Sequence, residues 1–213
     1  MTRIARLTPR DYRASPLDLL ALYSPHMHFP ASKDALAAAL LVISRAPRRC
    51  GTTKVVAVDG PSGGGKTDFA SALAARLPHA LVLHMDDLYP GWDGLMQAIS
   101  DLHTQVLTPI ARGGQARYRR WDWQHGRYGE RQSLPATALL LVEGVGSGAE
   151  PGWALESALI WLEADRDERF RRAVQRDGES YLPHWQRWAA HEDVLFALDK
   201  TRSRADLIIN TFP

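Results

Sequence analysis

Val55-Val56-Ala57-Val58-Asp59, then Gly60-Pro61-Ser62-Gly63-Gly64-Gly65-Lys66-Thr67, then Asp68-Phe69-Ala70-Ser71-Ala72-Leu73-Ala74 follow one another without a break. An apolar run of strand type feeds a glycine-rich turn, which opens directly into an Ala-rich amphipathic segment of helix type. The central eight residues satisfy G-x-x-x-x-G-K-[ST], the P-loop pattern, in the strand-loop-helix setting that gives it meaning. Glycines let consecutive backbone N–H groups turn inward on a polyphosphate with no Cβ in the way, and the helix start adds the positive end of its dipole. Lys66 is placed to reach the outer phosphates as a point charge, and the Thr67 hydroxyl to ligate Mg²⁺. Gly60, Ser62, Gly63, Gly64, Gly65, Lys66, Thr67 and Asp68 are therefore the expected nucleotide-binding set.

The remaining chain limits what such a loop can serve. A length of 213 residues suits one α/β domain with a small appendage. No stretch approaches the roughly 18 uninterrupted apolar residues of a membrane span, and Met1-Thr2-Arg3-Ile4-Ala5-Arg6 has no apolar region behind it, so a soluble protein without membrane partners is expected. Cys50 is the only cysteine. That leaves no internal disulfide and no thiolate metal cluster, which fits a reducing cytoplasm. A formal net charge of +2 is too small to argue for nucleic acid. The 22 Arg against 4 Lys suit phosphate forks but equally suit codon bias.

Residues 1–30 are punctuated by Pro9, Pro16, Pro25 and Pro30 and read as an irregular N-terminal extension. His26 and His28 there lack a third metal ligand nearby. Ser32 reads as the N-cap of a leading helix over 31–45, with Leu36, Leu40 and Ile43 on one face and Pro47 ending it. After the loop helix, Ala80–Met85 reads as a second buried strand ending in Asp86-Asp87-Leu88-Tyr89. Ligands of open parallel sheets bind beyond the carboxyl ends of the strands, so two acids there are well placed. Asp93 is the expected cap of a helix carrying Leu95, Ile99, Leu102, Val106 and Ile110, closed by Pro109 and Gly113-Gly114.

Residues 115–135 interleave arginines with aromatics, a composition that clamps nucleic acid, walls a small-molecule pocket, or forms a solvated hairpin. Ala138–Val142 reads as a third strand ending in Glu143, a Walker B-type acid near the metal. Leu159–Leu162 is the fourth strand. Next, Asp165–Asp177 places Arg169, Arg172 and Arg176 on one helix face, a line of like charge that an anion would relieve. A second helix from about Pro183 carries Trp185, Trp188, Val194, Leu195 and Leu198 as its apolar residues, and Ala205–Asn210 is the fifth strand.

Together these motifs resemble the P-loop nucleoside and nucleotide kinases, most of all uridine kinase, over about residues 54–210. Asp86-Asp87-Leu88-Tyr89 resembles the family's Asp-Ser-Phe-Tyr, which implies Asp86 as catalytic base and Tyr89 at the acceptor. Trp121-Asp122-Trp123 with His125 and Arg127 resembles the segment that contacts the nucleoside, with the spacing to His one residue shorter. Glu143-Gly144 matches the Glu-Gly after the third strand, and Asp165–Asp177 resembles the lid whose arginines close over the phosphates. Ala205-Asp206 resembles the family's closing Ala-Asp-x-Ile-Ile. Asp87 stands where Ser is usual, and Pro90-Gly91-Trp92-Asp93 departs from the uridine-kinase continuation.

The resemblance implies a three-layer α/β P-loop NTPase fold of nucleotide-kinase type, with a five-stranded parallel sheet in the order 2-3-1-4-5 flanked by helices. It implies a single kinase domain whose lid region spans 165–190. The expected activity is Mg-ATP-dependent phosphoryl transfer to a hydroxyl of a small, nucleoside-like acceptor. The expected roles are catalysis by Asp86, Lys66 and Arg172, nucleotide contact by the loop with Arg169, Arg172 and Arg176, and Mg²⁺ held by Thr67, Asp86 and Glu143. The acceptor would meet Asp87, Tyr89, Asp93, Trp121, Asp122, His125 and Arg127. A nucleoside-monophosphate kinase, with Arg117, Arg119, Arg120 and Arg127 on the acceptor phosphate, and a kinase of another small metabolite remain open. A nucleic-acid-binding ATPase using residues 117–131 is the reading from another class. A GTPase switch and a transporter ATPase lack their motifs, Asn-Lys-x-Asp and Leu-Ser-Gly-Gly-Gln. Nothing in the chain indicates an oligomer.

Overall fold

The computed structural model describes residues 32–178 and 182–211. The N-terminal extension and its His26-Met27-His28 lie outside the described residues. Helix α1 (Lys33–Arg45) starts at Ser32, whose Oγ accepts the Ala35 N–H at 3.1 Å, satisfying one of the donors a helix start leaves orphaned. It ends where Ala46 turns extended, with ψ at 136°, because the ring of Pro47 excludes the helical conformation from the residue before it.

Strand β1 (Lys54–Asp59) leads through the loop into α2 (Lys66–Ala74), and β2 (Leu81–His84) runs into a 3₁₀ turn at Met85–Asp87. Helix α3 (Leu95–Asp101) continues as a π-helical stretch (Leu102–Leu107) into the short α4 (Thr108–Ala111). A hairpin follows, β3 (Arg117–Asp122) and β4 (Arg127–Ser133), then β5 (Leu139–Glu143), β6 (Ala158–Glu163), α5 (Arg166–Asp177), α6 (Leu182–Asp199), α7 (Thr201–Arg204) and β7 (Leu207–Asn210).

The main sheet has the order β2-β5-β1-β6-β7, all parallel. Counting only its strands, that is 2-3-1-4-5, as expected. Side chains alternate across its faces. Val56, Val58, Leu141, Ile160 and Leu162 pack under α1 and α2, beside Leu36, Ile43, Phe69 and Leu73. Val55, Leu83, Leu140 and Val142 pack on the other face with Leu95, Ile99, Val106, Trp188 and Leu195. The result is three layers, with the glycine-rich loop (residues 60–65) at the C-terminal end of the central strand. Among the described residues, no helix is long and apolar enough to cross a membrane.

Three local expectations are corrected. Asp93 does not cap the third helix: Gly94 holds that position without a side-chain cap, and Asp93 instead pairs with Arg187 of α6. The helix is not uniform, because its π-helical stretch widens the turn and lets Val106 and Leu107 both be buried. Pro109 then directly follows the π-helical stretch, whose irregular hydrogen bonding accommodates a residue with no N–H to donate. On α6, Val194 and Leu198 are 60% and 80% exposed and flank a groove of about 370 Å³ with Met96 and His191. No residue of the phosphate loop lines this groove.

Candidate active site

The loop's shape rests on positions where a side chain has no room. At Gly60, φ is +135° and a Cβ would lie 2.0 Å from the Leu162 carbonyl oxygen. At Gly63, φ is +76° and a Cβ would lie 2.3 Å from the Arg169 carbonyl oxygen. Both obstacles are backbone, so neither can move aside, and the loop is clasped by β6 on one side and by α5 on the other.

Asp59, the last residue of β1, is wholly buried and holds the loop to the segment after β5. Its carboxylate accepts N–H bonds from Gly60 (2.6 Å), Gly146 (2.9 Å) and Gly148 (2.9 Å). Burial outweighs these bonds and pushes the Asp59 carboxyl up to about 6.

Lys66 opens α2 and is itself buried, with Nζ donating to the Pro61 carbonyl at 2.9 Å. Desolvation lowers its pKa, while Glu192, Glu143, Asp59 and Asp86 pull the other way. Next along α2, the Thr67 hydroxyl lies 3.3 Å from both oxygens of Glu143 at the end of β5. Glu143 also meets His84 Nδ1 at 2.5 Å, and that bond raises the His84 pKa. The hydroxyl and carboxylate oxygens of Thr67, Glu143 and nearby Asp86 suit a hard cation. Among the described residues no group of three or more His, Cys, Asp or Glu side chains is arranged to enclose a metal.

Asp86 sits in the 3₁₀ turn after β2. The residue is exposed, yet desolvation by the protein groups packed around its carboxyl, together with the Glu143 charge, holds its pKa above the ordinary carboxylate range against Arg176, Lys66 and His84. The hairpin lies directly over this turn. Arg120 Nε pairs with Asp87 at 2.7 Å, and Trp123 Nε1 donates to the Asp86 carbonyl at 2.9 Å. Trp123 also meets Trp92 at 5.1 Å, and Trp92 stacks on His184 of α6 at 4.5 Å, so an aromatic wall joins the hairpin to α6 beside Asp86.

The other expected acceptor residues are dispersed. Tyr89 is 2% exposed and donates to the Val145 carbonyl at 2.8 Å, inside the core. Asp122 and His125 bond to each other at 2.7 Å, and Asp122 also accepts the Gln124 and His125 N–H groups, closing the hairpin tip. Arg127 is exposed opposite Asp122, and Trp121 packs edge-on to Tyr128 at 5.1 Å. Asp93 is drawn to Arg187, as described above.

The arginine face of α5 meets the loop. Arg169 NH1 donates to the Ser62 carbonyl at 3.2 Å. Arg172, largely buried, joins Glu168 at 2.7 Å and Thr211 at 2.9 and 3.0 Å, which ties α5 to the end of β7. Arg176 is exposed, within electrostatic reach of Asp86. Exposed Asp68 follows Thr67 on α2.

Four residues of the site escaped the sequence reading. Asp59 carries a weak signal, as an acid ending the strand before the loop. His84, Trp188 and Glu192 carry none, because their partners lie 59, 126 and 130 residues away. Cys50 is buried, its thiol pushed up to about 11 by desolvation.

No family model and no curated protein sequence matches the chain. Solved structures do. One is a possible uridine kinase from Bacillus stearothermophilus, with TM-score 0.57, 19% identity, and coverage of 81% of this chain and 96% of that one. Another is a candidate fructose transport system kinase from Silicibacter sp. TM1040, with TM-score 0.48, 20% identity, and coverage of 86% and 100%. At such identity the likeness concerns architecture, and only the first is close enough to bear on it. The chain has the fold of the P-loop kinases, a five-stranded parallel sheet flanked by helices with a phosphate-type loop at its central strand.

Proposed function

We propose that this chain is an ATP-dependent small-molecule kinase that transfers a phosphoryl group from Mg-ATP to a hydroxyl of a nucleoside-like acceptor. The observation that carries the reading is the meeting, at the ends of β1, β2 and β5, of the glycine-rich loop with buried Lys66, the Thr67 hydroxyl 3.3 Å from Glu143, and Asp86 in the turn after β2 within electrostatic reach of Lys66 and Glu143. A general base works best with its pKa close to the working pH, and a raised aspartate moves in that direction. Asp86 would orient the acceptor hydroxyl and take its proton. Lys66 and the N–H groups of Gly63, Gly64 and Gly65 would hold the phosphates, and Thr67 with Glu143 would hold the metal directly or through water. Arg176, and Arg169 after rearrangement, would offset charge on the transferring group. When bound, Mg-ATP supplies the phosphoryl group and the metal charge that neutralises its oxygens. On this reading the described chain is a single kinase domain, with residues 165–190 as its lid and a cytoplasmic setting.

The turn after β2 is acidic, with Asp86 and Asp87 together. Of the hairpin arginines, Arg120 reaches it but is already paired with Asp87, while Arg119 lies over the Tyr128 ring at 4.9 Å and Arg117 bonds to Gln115. That favours an uncharged hydroxyl over a monophosphate as acceptor. The test is ADP release against a panel of nucleosides, nucleoside monophosphates, sugars and other alcohols, with wild-type and Asp86→Asn proteins. A nucleoside should give turnover that Asp86→Asn loses by a factor of about 10² or more. Full turnover by Asp86→Asn would remove the proposed base. Salt-dependent RNA binding with no small-molecule turnover would instead favour the nucleic-acid ATPase.

A further inference from the structure

Helix α6 turns Trp188 and Glu192, four residues apart and so on one face, onto the phosphate loop. Trp188 Nε1 donates to Ser62 Oγ at 2.9 Å, and the Ser62 backbone N–H donates to Glu192 Oε1 at 2.9 Å. The other carboxylate oxygen of Glu192 lies 3.8 Å from Arg169 NH1, whose guanidinium also reaches the Ser62 carbonyl. Glu192 is only 2% exposed. Ionised carboxylates are rarely buried so deeply unless charge and hydrogen bonds compensate them. Here the compensation comes from groups of the kind that recognise phosphate: a backbone N–H of the glycine-rich loop, an arginine of the helix beside it and, electrostatically, Lys66.

We propose that Glu192 is an internal counter-anion of the phosphate loop: its carboxylate holds Ser62 and Arg169 as a phosphate oxygen would, and a bound polyphosphate competes with it for both. This rests on the reading of the loop as a polyphosphate site and adds a regulating element to it. The arginine that the resemblance assigns to the nucleotide is already engaged by an anion, so nucleotide affinity is set partly by how readily Glu192 gives it up. Docking of α6 and filling of the loop are thereby coupled.

The test compares wild type, Glu192→Gln and Trp188→Phe by titration calorimetry, with inorganic tripolyphosphate and with a non-hydrolysable ATP analogue plus Mg²⁺. Glutamine keeps the oxygen that accepts the Ser62 N–H and nearly the same volume; it removes the charge and turns an NH₂ toward Arg169 where the second oxygen stood, so Arg169 is released as well. Both ligands should bind Glu192→Gln at least about tenfold more tightly than wild type, since a fixed negative charge a few ångströms from the phosphates is gone. Trp188→Phe loosens α6 from Ser62 without changing charge; because docking of α6 opposes filling of the loop, it should bind both ligands more tightly than wild type but by less than Glu192→Gln, and weaker binding than wild type overturns the coupling. If Glu192→Gln binds equally or more weakly while wild type binds, the counter-anion is overturned and the loop reading stands. If no protein binds either ligand, the loop reading falls and takes this proposal with it. Should Glu192→Gln not fold, Glu192→Asp withdraws the charge by one methylene. Its Kd should then fall about two- to fivefold, and an unchanged or higher Kd overturns the proposal.

Discussion

Replacing Asp59 with Asn should change how stability depends on pH more than it changes stability itself. Asp59 is fully buried, and its carboxyl is displaced from an ordinary 3.8 to about 6 because desolvation exceeds the help of three N–H donors and Lys66. At about 1.4 kcal/mol per pKa unit, that displacement corresponds to about 3 kcal/mol. The sign follows from which state holds the proton. Below pH 3.8 aspartate is protonated in both the folded and the unfolded chain. As pH rises from there, the unfolded chain ionises first and is favoured, so the stability associated with neutral Asp59 drains away and is gone once pH passes about 6. Asparagine cannot ionise and lacks this loss. It does place an NH₂ where one oxygen accepted an N–H, an offset of about 1–3 kcal/mol that does not vary with pH. The stability of wild type minus that of Asp59→Asn should therefore fall by about 2 kcal/mol between pH 4 and pH 7, the rest of the displacement having been lost below pH 4. With a urea slope near 3 kcal/mol per molar, the two denaturation midpoints move relative to each other by about 0.7 M. Urea denaturation at pH 4, 5, 6, 7 and 8, followed by tryptophan fluorescence and far-UV circular dichroism, reads this directly. A difference that stays flat with pH, or grows, refutes the assignment of Asp59 as a buried acid governed by desolvation.

Tyr89→Phe removes a buried hydrogen bond to the Val145 carbonyl and should cost about 1–2 kcal/mol, lowering Tm by several degrees; an unchanged Tm would place the hydroxyl elsewhere. Gly63→Ala drives a Cβ against the Arg169 carbonyl at a positive φ. It should lose about 1–3 kcal/mol in thermal unfolding and, on the proposed function, nucleotide binding in calorimetry. Glu156 is buried with Oε1 unpartnered, and desolvation raises its pKa well above the ordinary value. Its neutral form is favoured in the fold, so Glu156→Gln should be more stable than wild type at pH 7 to 8. That advantage should shrink as pH falls into the ordinary glutamate range, and a variant less stable than wild type at pH 8 would contradict this.

How much of this was legible in the sequence differs sharply between neighbouring residues. Strands β1, β2, β5, β6 and β7 and helices α1, α2 and α5 were readable within a residue or two, because hydrophobic periodicity and caps are local. The π-helical stretch at Leu102–Leu107 was not, since the apolar stripe there satisfies an ordinary helix equally well. Tyr89 shows the limit of a motif: four residues in the right order place Asp86 in the turn after β2, while the ring two residues beyond Asp87 turns inward to Val145 and Trp188.

What the sequence alone determined is the strand, glycine-rich loop and helix at residues 54–74, because positive-φ glycines, a strand before them and a helix after them are conditions on consecutive residues. What only the tertiary structure decided is which charges meet there. Glu192 reaches Ser62 across 130 residues of chain, and Asp59 reaches Gly146 and Gly148 across 87 and 89. The hairpin folds over Asp86 through Arg120 and Trp123. A buried charge takes whatever partner the packing of sheet and helices brings within a few ångströms, and no pattern of neighbouring residues records that choice.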